Sequence, residues 1–196
     1  MHETLYNNMI FFVKNYLSEK SGEPLKILDI GSQDVNGTFK LLFDQPEWTY
    51  QGLDTAPGKN VDIVVKQPYH WKEIQSCSYD VVISGSTFEH IEYCWITMLE
   101  IARILKHNGL FCLIVPSSGP EHKYPVDCWR FYPDGLRALA KNAFMEILDA
   151  HFASLRTTEP VSADQWNDCI LIAKKVKLPF FKRLKINMKR YFLRLL

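Results

Sequence analysis

The sequence predicts an α/β fold built on a doubly wound sheet, and two observations carry this prediction. Short apolar stretches typical of strands alternate with stretches whose apolar residues recur every three or four positions, as in helices. The first strand, 25–30, leads into a polar loop that begins at Gly31. In open α/β sheets a nucleotide-like ligand binds at the carboxyl ends of strands, and a residue without Cβ lets it approach the backbone.

The remaining elements follow in order along the chain. The first helix is predicted over 1–18, where apolar residues are spaced by three and four, and Ser21-Gly22 ends it. Later helical segments are expected over 38–43, 68–74, 93–106 and 133–143. Further strands are expected over 48–53, 61–65, 79–84, 110–115, 144–152 and 168–173, which makes seven strands in all.

Composition indicates an ordinary globular domain. The chain has 196 residues, of which 47% are hydrophobic and 23% charged. Its five cysteines show no C-x-x-C spacing, which predicts free thiols, a reducing compartment and no zinc site. We see neither a signal peptide nor an apolar run near the roughly 18 to 20 residues of a spanning helix, so we expect a cytoplasmic protein.

Charge divides the chain into a body over residues 1–174 and a tail over 175–196. Nine of the 23 Lys and Arg lie from Lys174 onward, where Asp and Glu are absent, and the preceding residues therefore carry a net charge of −8. Apolar residues of the tail fall on one helical face, namely Phe181, Leu184, Met188, Tyr191, Phe192 and Leu195. Such a basic amphipathic helix suits an anionic membrane surface, or packs on the domain or a second subunit. The acidic body disfavours nucleic acid.

A second acidic residue supports a ribose-containing ligand. Asp54 follows Asp29 by 25 residues at the end of the second predicted strand, where a carboxylate can accept both ribose hydroxyls. The alternative role for Asp54 is a turn or helix cap. Gln33 stands where dinucleotide-binding loops have a second glycine, so a ligand without phosphates is preferred.

Five segments resemble the class I S-adenosylmethionine-dependent methyltransferases, in particular the methyltransferase type 11 group. They are ILDIGS (27–32), YQGLD (50–54), YDVVISGSTFEHI (79–91), EIARILKHNGLFCLIVPS (100–117) and HKYPVDCWRFYPDGLRAL (122–139). The resemblance implies a Rossmann-like, seven-stranded methyltransferase domain over 1–174 with S-adenosylmethionine as cofactor. It places the methionine moiety between Asp29 and Gly31, the ribose on Asp54 and the sulfonium beside Ser84.

The resemblance also supplies the full set of expected cofactor contacts. These are Asp29, Gly31, Ser32, Gln33, Asp54, Thr55, Lys66, Gln67, Ser84 and Gly85. Two positions depart from the family pattern. Gln33 replaces the usual second glycine, and Lys66-Gln67 stands where an acidic residue often binds the adenine amine, so that contact is expected from the backbone.

Two segments are candidates for the acceptor side, 86–93 and 117–132, because long loops rich in Gly, Pro, His and aromatic residues are usually functional. The predicted catalytic residues are His122, His90 and Asp127, and the predicted substrate contacts are Glu89, Tyr124, Trp129, Arg130 and Tyr132. His90 could instead cap a helix, Asp127 and Arg130 could form an internal salt bridge, and Trp129 and Tyr132 could anchor the loop. The pair His70-Trp71 could lie near the adenine or only pack. No closely spaced ligand set predicts a metal.

The predicted function is methyl transfer to a small molecule, since the chain has no added recognition domain. The family resemblance favours a hydroxyl of a sugar or sugar nucleotide in surface-glycan or natural-product biosynthesis, with Lys123 and Arg130 available for a phosphate. Two alternatives stay open. The tail suggests a membrane-associated lipid or quinone acceptor, with peripheral contact at the inner membrane surface, and the changed cofactor positions permit a protein that binds the cofactor without catalysis.

Overall fold

The computed structural model describes residues 3–153 and 166–193. Its seven strands are β1 (Leu25–Ile30), β2 (Trp48–Asp54), β3 (Ile63–Val64), β4 (Tyr79–Gly85), β5 (Leu105–Pro116), β6 (Met145–Phe152) and β7 (Asp168–Lys175). They form one sheet in the order β3-β2-β1-β4-β5-β7-β6. The predicted doubly wound, seven-stranded sheet is confirmed.

Strand direction decides where a site can form. β1 pairs in parallel with β2 and β4, β4 pairs in parallel with β5, and β7 runs antiparallel between β5 and β6. The chain therefore leaves β1, β2, β4 and β5 at the same edge of the sheet. The strand order reverses between β1 and β4, and this switch point is where open α/β sheets bind ligands.

Helices cover both faces of the sheet. They are α1 (Glu3–Phe12), α2 (Cys94–Ile104), α3 (Pro133–Asn142) and α4 (Phe180–Leu193), and α1 continues through a π turn (Val13–Leu17) into a 3-10 turn (Ser18–Lys20). On one face α1 packs with Phe39 and Phe43 against β1, β4 and β5, and on the other face α2, α3 and α4 share a second core. Within the described residues no helix is both long enough and apolar enough to cross a bilayer.

Element boundaries differ from the predictions in places where tertiary contacts compete with local pattern. The expected helix over 38–43 is only a 3-10 turn, Lys40–Phe43, and β5 begins at Leu105, so Asn108 and Gly109 lie inside the strand. Residues 68–74 form no helix. The Ile74 N–H donates to the Trp71 carbonyl in a single turn, and the carbonyl groups of Trp71 and Ile74 both accept hydrogen bonds from the Arg103 side chain.

Candidate active site

The loop after β1 depends on Gly31. This residue has φ +74°, a left-handed conformation that favours glycine, and its N–H and that of Ser32 both donate to the Leu53 carbonyl at the end of β2. A Cβ at this position would lie 2.2 Å from Thr87 Oγ1. The segment after β4 therefore touches the loop after β1, and both belong to one site.

Asp29 lies buried beneath this loop. Its carboxylate accepts a 2.5 Å hydrogen bond from the Tyr50 hydroxyl, which also accepts one from Asn60 Nδ2. Burial raises the pKa of Asp29 to about 7, because desolvation outweighs the hydrogen bond from Tyr50, and the neighbouring Asp54 adds to the rise. A cationic ligand above the loop would favour the ionised form of Asp29.

Asp54 ends β2 beside the same loop. Its Oδ1 accepts a 2.7 Å bond from the Thr55 N–H, and its Oδ2 accepts a longer, 3.2 Å bond from the Gln33 N–H. The Gln33 side chain packs over Gly58, where a Cβ would lie 2.8 Å from Gln33 Nε2. Gln33 thus occupies space that a second glycine would leave open, and the ribose role of Asp54 remains a prediction.

Four other residues that are predicted to contact the cofactor differ in burial and in the groups they contact. Ser84 is fully buried and its hydroxyl donates to the Ile30 carbonyl, so it ties β4 to β1. Gly85 leaves room for the Phe39 ring, which a Cβ would meet at 2.7 Å. Lys66 and Gln67 lie exposed after β3. Their roles towards the cofactor stay predictions.

The loop over 117–132 is fastened onto the 3-10 turn that follows β4, Phe88–His90. The Cys128 N–H donates to the Glu89 carbonyl at 2.7 Å, and His90 Nδ1 lies 2.6 Å from the Val126 carbonyl. The suggestion that His90 caps a helix is wrong, because α2 begins only at Cys94 and His90 bonds the loop instead. The two predicted acceptor segments meet as expected.

Arg130 organises this loop from within. Its guanidinium binds both Asp127 oxygens at 2.6 and 2.8 Å and also donates to the carbonyls of Gly119, Pro120 and Trp129. All five N–H donors are therefore engaged. The internal salt bridge considered for Asp127 and Arg130 is confirmed, and the suggested phosphate contact of Arg130 finds no free donor.

Glu89, His90 and His122 converge beneath the loop. One possible donor atom from each lies within 4.8 Å of the others. His90 Nε2 is 3.8 Å from Glu89 Oε1, and the two imidazole rings meet edge to face with centroids 4.8 Å apart. His122 Nδ1 also lies 3.4 Å from Asp127 Oδ2. Four predicted site residues, two histidines and two carboxylic acids, are thus brought together.

Burial sets the charge of this cluster. It raises the pKa of Glu89 to about 8, and it lowers the pKa of His90, to which the neighbouring His122 contributes. Arg130 holds the pKa of Asp127 well below its usual range. At neutral pH His90 is consequently an uncharged imidazole, and because its Nδ1–H is directed at a carbonyl, its Nε2 carries a free lone pair.

Aromatic rings surround the cluster. Trp129 donates its indole N–H to the Ile91 carbonyl and meets Trp95 edge to face, while Tyr124 and Tyr132 lie exposed, 57% and 63% respectively. Trp129 is thus an anchor, as the alternative prediction held. Trp71 is buried and packs in the core; its indole N–H donates to Pro68.

Two residues at the candidate site were not predicted from the sequence. Trp166 lies edge to face with His122 and beneath the Arg130 guanidinium, and Thr87 covers Gly31. Trp166 is 44 positions from His122, so no local pattern connects them. Thr87 had one signal, because it lies in the predicted segment 86–93.

Solved structures share this fold. The chain is 15% identical to 1,6-didemethyltoxoflavin-N1-methyltransferase of Burkholderia thailandensis, solved with 1,6-didemethyltoxoflavin and S-adenosylhomocysteine; the match covers 89% of this chain and 88% of that one, with a TM-score of 0.62. It is 12% identical to the YcgJ protein of Bacillus subtilis, covering 90% and 100%, with a TM-score of 0.62. It is also 14% identical to the cyclase SpnF, covering 87% and 80%, with a TM-score of 0.63. At these identities the likeness establishes the fold alone.

Part of the chain also matches the sequence model of a protein family. Residues 42–113, from the 3-10 turn before β2 to the middle of β5, match the family model of the methyltransferase domain. A comparison with curated protein sequences gives no match. The family match over these residues and the shared fold both agree with the resemblance to class I, S-adenosylmethionine-dependent methyltransferases that the motifs around Gly31 and Asp54 gave.

Proposed function

We propose that the protein transfers a methyl group from S-adenosylmethionine to a hydroxyl of a small molecule. The observation that carries this proposal is the Glu89–His90–His122 cluster at the carboxyl end of β4, next to Thr87, which touches the Gly31 loop. Imidazoles accept protons at neutral pH, and an alcohol is an acceptor that must lose its proton. A donor bound over Gly31 would face an acceptor held at this cluster.

The reaction is a displacement in which positioning matters most. The acceptor oxygen uses an electron pair to form the new O–CH₃ bond, and the S–CH₃ bond breaks with its electron pair passing to sulfur. The O–H proton leaves at the cluster, where the His90 Nε2 lone pair and the His122 ring are the candidate receivers. Asp127, fixed by Arg130, accepts a hydrogen bond from the His122 backbone N–H and lies 3.4 Å from the Nδ1 atom of the ring.

For the acceptor class we propose a sugar or sugar-linked compound. Exposed aromatic rings at Tyr124, Trp129 and Tyr132 offer flat surfaces for the apolar face of a pyranose. Lys123 is the cation that could bind a linked phosphate. Its ion-pair partner, Glu121, is as exposed as Lys123 itself, whereas the guanidinium of Arg130 is already bound to Asp127. A sugar carrying few phosphates therefore fits this surface better than a highly charged nucleotide.

Calorimetric titration with S-adenosylhomocysteine tests the donor side. We expect micromolar binding by the intact protein and a loss of about tenfold or more in Asp54→Ala, because a ribose hydroxyl then loses a charged partner. Asp134→Ala, at the exposed start of α3, is the matched control. Methyl transfer to a panel of sugars that stops in His122→Gln while S-adenosylhomocysteine still binds supports the acceptor side; binding without turnover on any hydroxyl contradicts it.

A second proposal concerns α4, which we infer lies on an anionic membrane surface. Ile186, Lys189, Arg190 and Leu193 face the body, where Arg190 binds Glu100 at 2.7 Å. The opposite stripe, Phe181, Leu184, Met188, Tyr191 and Phe192, is 47–81% exposed. Lys185 and Arg183 lie between the two stripes, on opposite sides of the helix. An exposed apolar stripe flanked by cations favours an interfacial helix.

Vesicle co-sedimentation tests this second proposal. We expect the intact protein to bind vesicles with anionic lipid and not zwitterionic ones, and expect Phe181→Ser with Met188→Ser to lose binding while the fold persists. Leu41→Ser, at an equally exposed apolar residue in the body, is the control. Concentration-dependent dimerisation that the same double variant abolishes, without lipid binding, would assign the stripe to a second subunit instead.

A further inference from the structure

The Glu89 side chain is enclosed without a partner. Its carboxylate is fully shielded from solvent, and among the described residues neither oxygen has a hydrogen-bond partner in another residue. Leaving a carboxylate buried and unpaired is costly, so native proteins pair such groups or use them to bind ions. The hydroxyl chemistry above engages the two histidines and leaves Glu89 without a function.

The histidines beside Glu89 have the arrangement of metal ligands. His90 directs Nδ1 at the Val126 carbonyl, which leaves Nε2 facing Glu89 Oε1 at 3.8 Å. His122 Nδ1 lies 3.4 Å from the Asp127 carboxylate without a hydrogen bond, and the His122 backbone N–H donates to the same carboxylate at 2.7 Å. In metal sites a ligating histidine almost always presents its second ring nitrogen to a carboxylate or a backbone carbonyl, which fixes its tautomer and orientation.

The spacing suits a small divalent ion. Ligands at ~2.0–2.1 Å from a tetrahedral zinc ion lie ~3.3 Å from one another. The donor atoms of the cluster lie within 4.8 Å of one another, so side-chain adjustments of about 1 Å would close the site around an ion. The sequence predicted no metal because it has no closely spaced ligand set. His122 is 32 residues from His90 along the chain, and the loop over 117–132 brings the two side chains together.

We propose that Glu89, His90 and His122 form a binding site for a divalent ion of the zinc type. Two imidazoles and one carboxylate are a known zinc ligand set, whereas magnesium prefers oxygen ligands alone. The bound ion would supply a positive charge next to the buried Glu89 carboxylate, which has no such partner among the described residues. Asp127 and Arg130 act as positioning residues, since they hold His122.

Three protein ligands leave at least one coordination position for a water or an acceptor oxygen, which is the pattern of catalytic rather than structural zinc sites. In this part the inference rests on the proposed function. An oxygen bound to the ion loses its proton more readily, so the O–H proton would pass to solvent and the histidines would serve as ligands rather than bases. Ion binding itself does not depend on that role.

Titration of the metal-free protein with Zn²⁺ alone tests the site, in a Cys77→Ser/Cys128→Ser background that removes the two exposed thiols. We expect one Zn²⁺ per chain, a tetrahedral visible spectrum with Co²⁺, and no comparable binding of Mg²⁺. Glu89→Gln, His90→Gln and His122→Gln should each weaken Zn²⁺ binding at least about 100-fold, since outer-shell partners alone are worth about 10–100-fold. His107→Gln, an exposed histidine, should leave it unchanged.

Thermal unfolding of each variant shows whether a loss of ion binding reflects a lost ligand or a lost fold; Glu89→Gln keeps the shape of the side chain and removes only its charge. Absence of stoichiometric Zn²⁺ binding, or binding that survives all three substitutions, overturns the inference. S-adenosylhomocysteine is titrated into the same preparations. If S-adenosylhomocysteine binds and Zn²⁺ does not, only the metal site is refuted. If Zn²⁺ binds and S-adenosylhomocysteine does not, only the donor assignment is refuted.

Discussion

The loops after β1 and after β5 leave the sheet at the same edge but are held by different means. The loop after β1 is fixed through its backbone, with the N–H groups of Gly31 and Ser32 on one carbonyl of β2. The loop over 117–132 also has backbone bonds, such as the one from Cys128 to Glu89, but a side-chain pair, Arg130 and Asp127, organises its interior. Backbone contacts follow from the sheet itself, so the loop that we propose for the donor is largely built into the fold, whereas the loop that we propose for the acceptor depends more on particular side chains.

The largest effect should come from Arg130. Arg130→Met leaves the Asp127 carboxylate, which is 2% exposed, without its partner, and removing one member of such a pair costs about 3 kcal/mol. We expect acceptor turnover to collapse while S-adenosylhomocysteine still binds. Arg130→Lys keeps the charge but loses the bidentate fork and should recover only part of the stability. Equal loss of donor and acceptor binding would contradict the division between the two loops.

Asp29 should give the donor side a pH-dependent stability. Its folded pKa of about 7 exceeds its usual value of 3.8, so between these values the folded state holds a proton that the unfolded chain has lost. Stability therefore falls as pH rises from about 4 to about 7, and Asp29→Asn should remove about 2–3 kcal/mol of that fall between about pH 5 and about pH 7.5. Urea unfolding of both proteins at the two pH values measures it. Parallel pH profiles would refute the ionisation of a buried Asp29.

Gly31 should be the most sensitive backbone position. Gly31→Ala places a Cβ against Thr87 in a left-handed conformation, at a cost of about 1–3 kcal/mol, and should weaken S-adenosylhomocysteine binding. The matched control is Gly135→Ala in α3, where a Cβ meets nothing within 4 Å and alanine should be neutral or stabilising by about 0.5–1 kcal/mol. Unchanged donor affinity in Gly31→Ala would place the donor elsewhere.

The smallest effect should come from Lys59. Its ammonium lies 2.6 Å from Asp34 in the loop after β1, but the Lys59 side chain is 80% exposed. Solvent screens such pairs, so Lys59→Ala should leave the melting temperature within measurement error. A clear drop would show that the donor loop, like the acceptor loop, depends on an ion pair.

The sequence by itself determined the succession of strands along the chain, the loop at Gly31, the acidic end of β2 and the amphipathic pattern of the tail. These features follow from short-range periodicity and from turn residues. The helix α4 (Phe180–Leu193) confirms the helix predicted for the tail, and Leu195 lies outside the described residues. Where the prediction of an element failed, as at 68–74, a side chain distant in sequence, Arg103, binds the carbonyl groups of Trp71 and Ile74, and the local chain forms only a single turn there.

Only the tertiary structure decided what the acceptor side contains. Glu89, His122 and Trp166 are far apart along the chain, and no spacing rule connects them. They meet because β4 and β5 end and β7 begins at one edge of the sheet, and because the loop over 117–132 folds back over it. The structure likewise turned Arg130 from a candidate substrate contact into an internal clamp, and it showed which stripe of α4 is exposed. Such outcomes depend on packing between distant segments, which local sequence patterns do not encode.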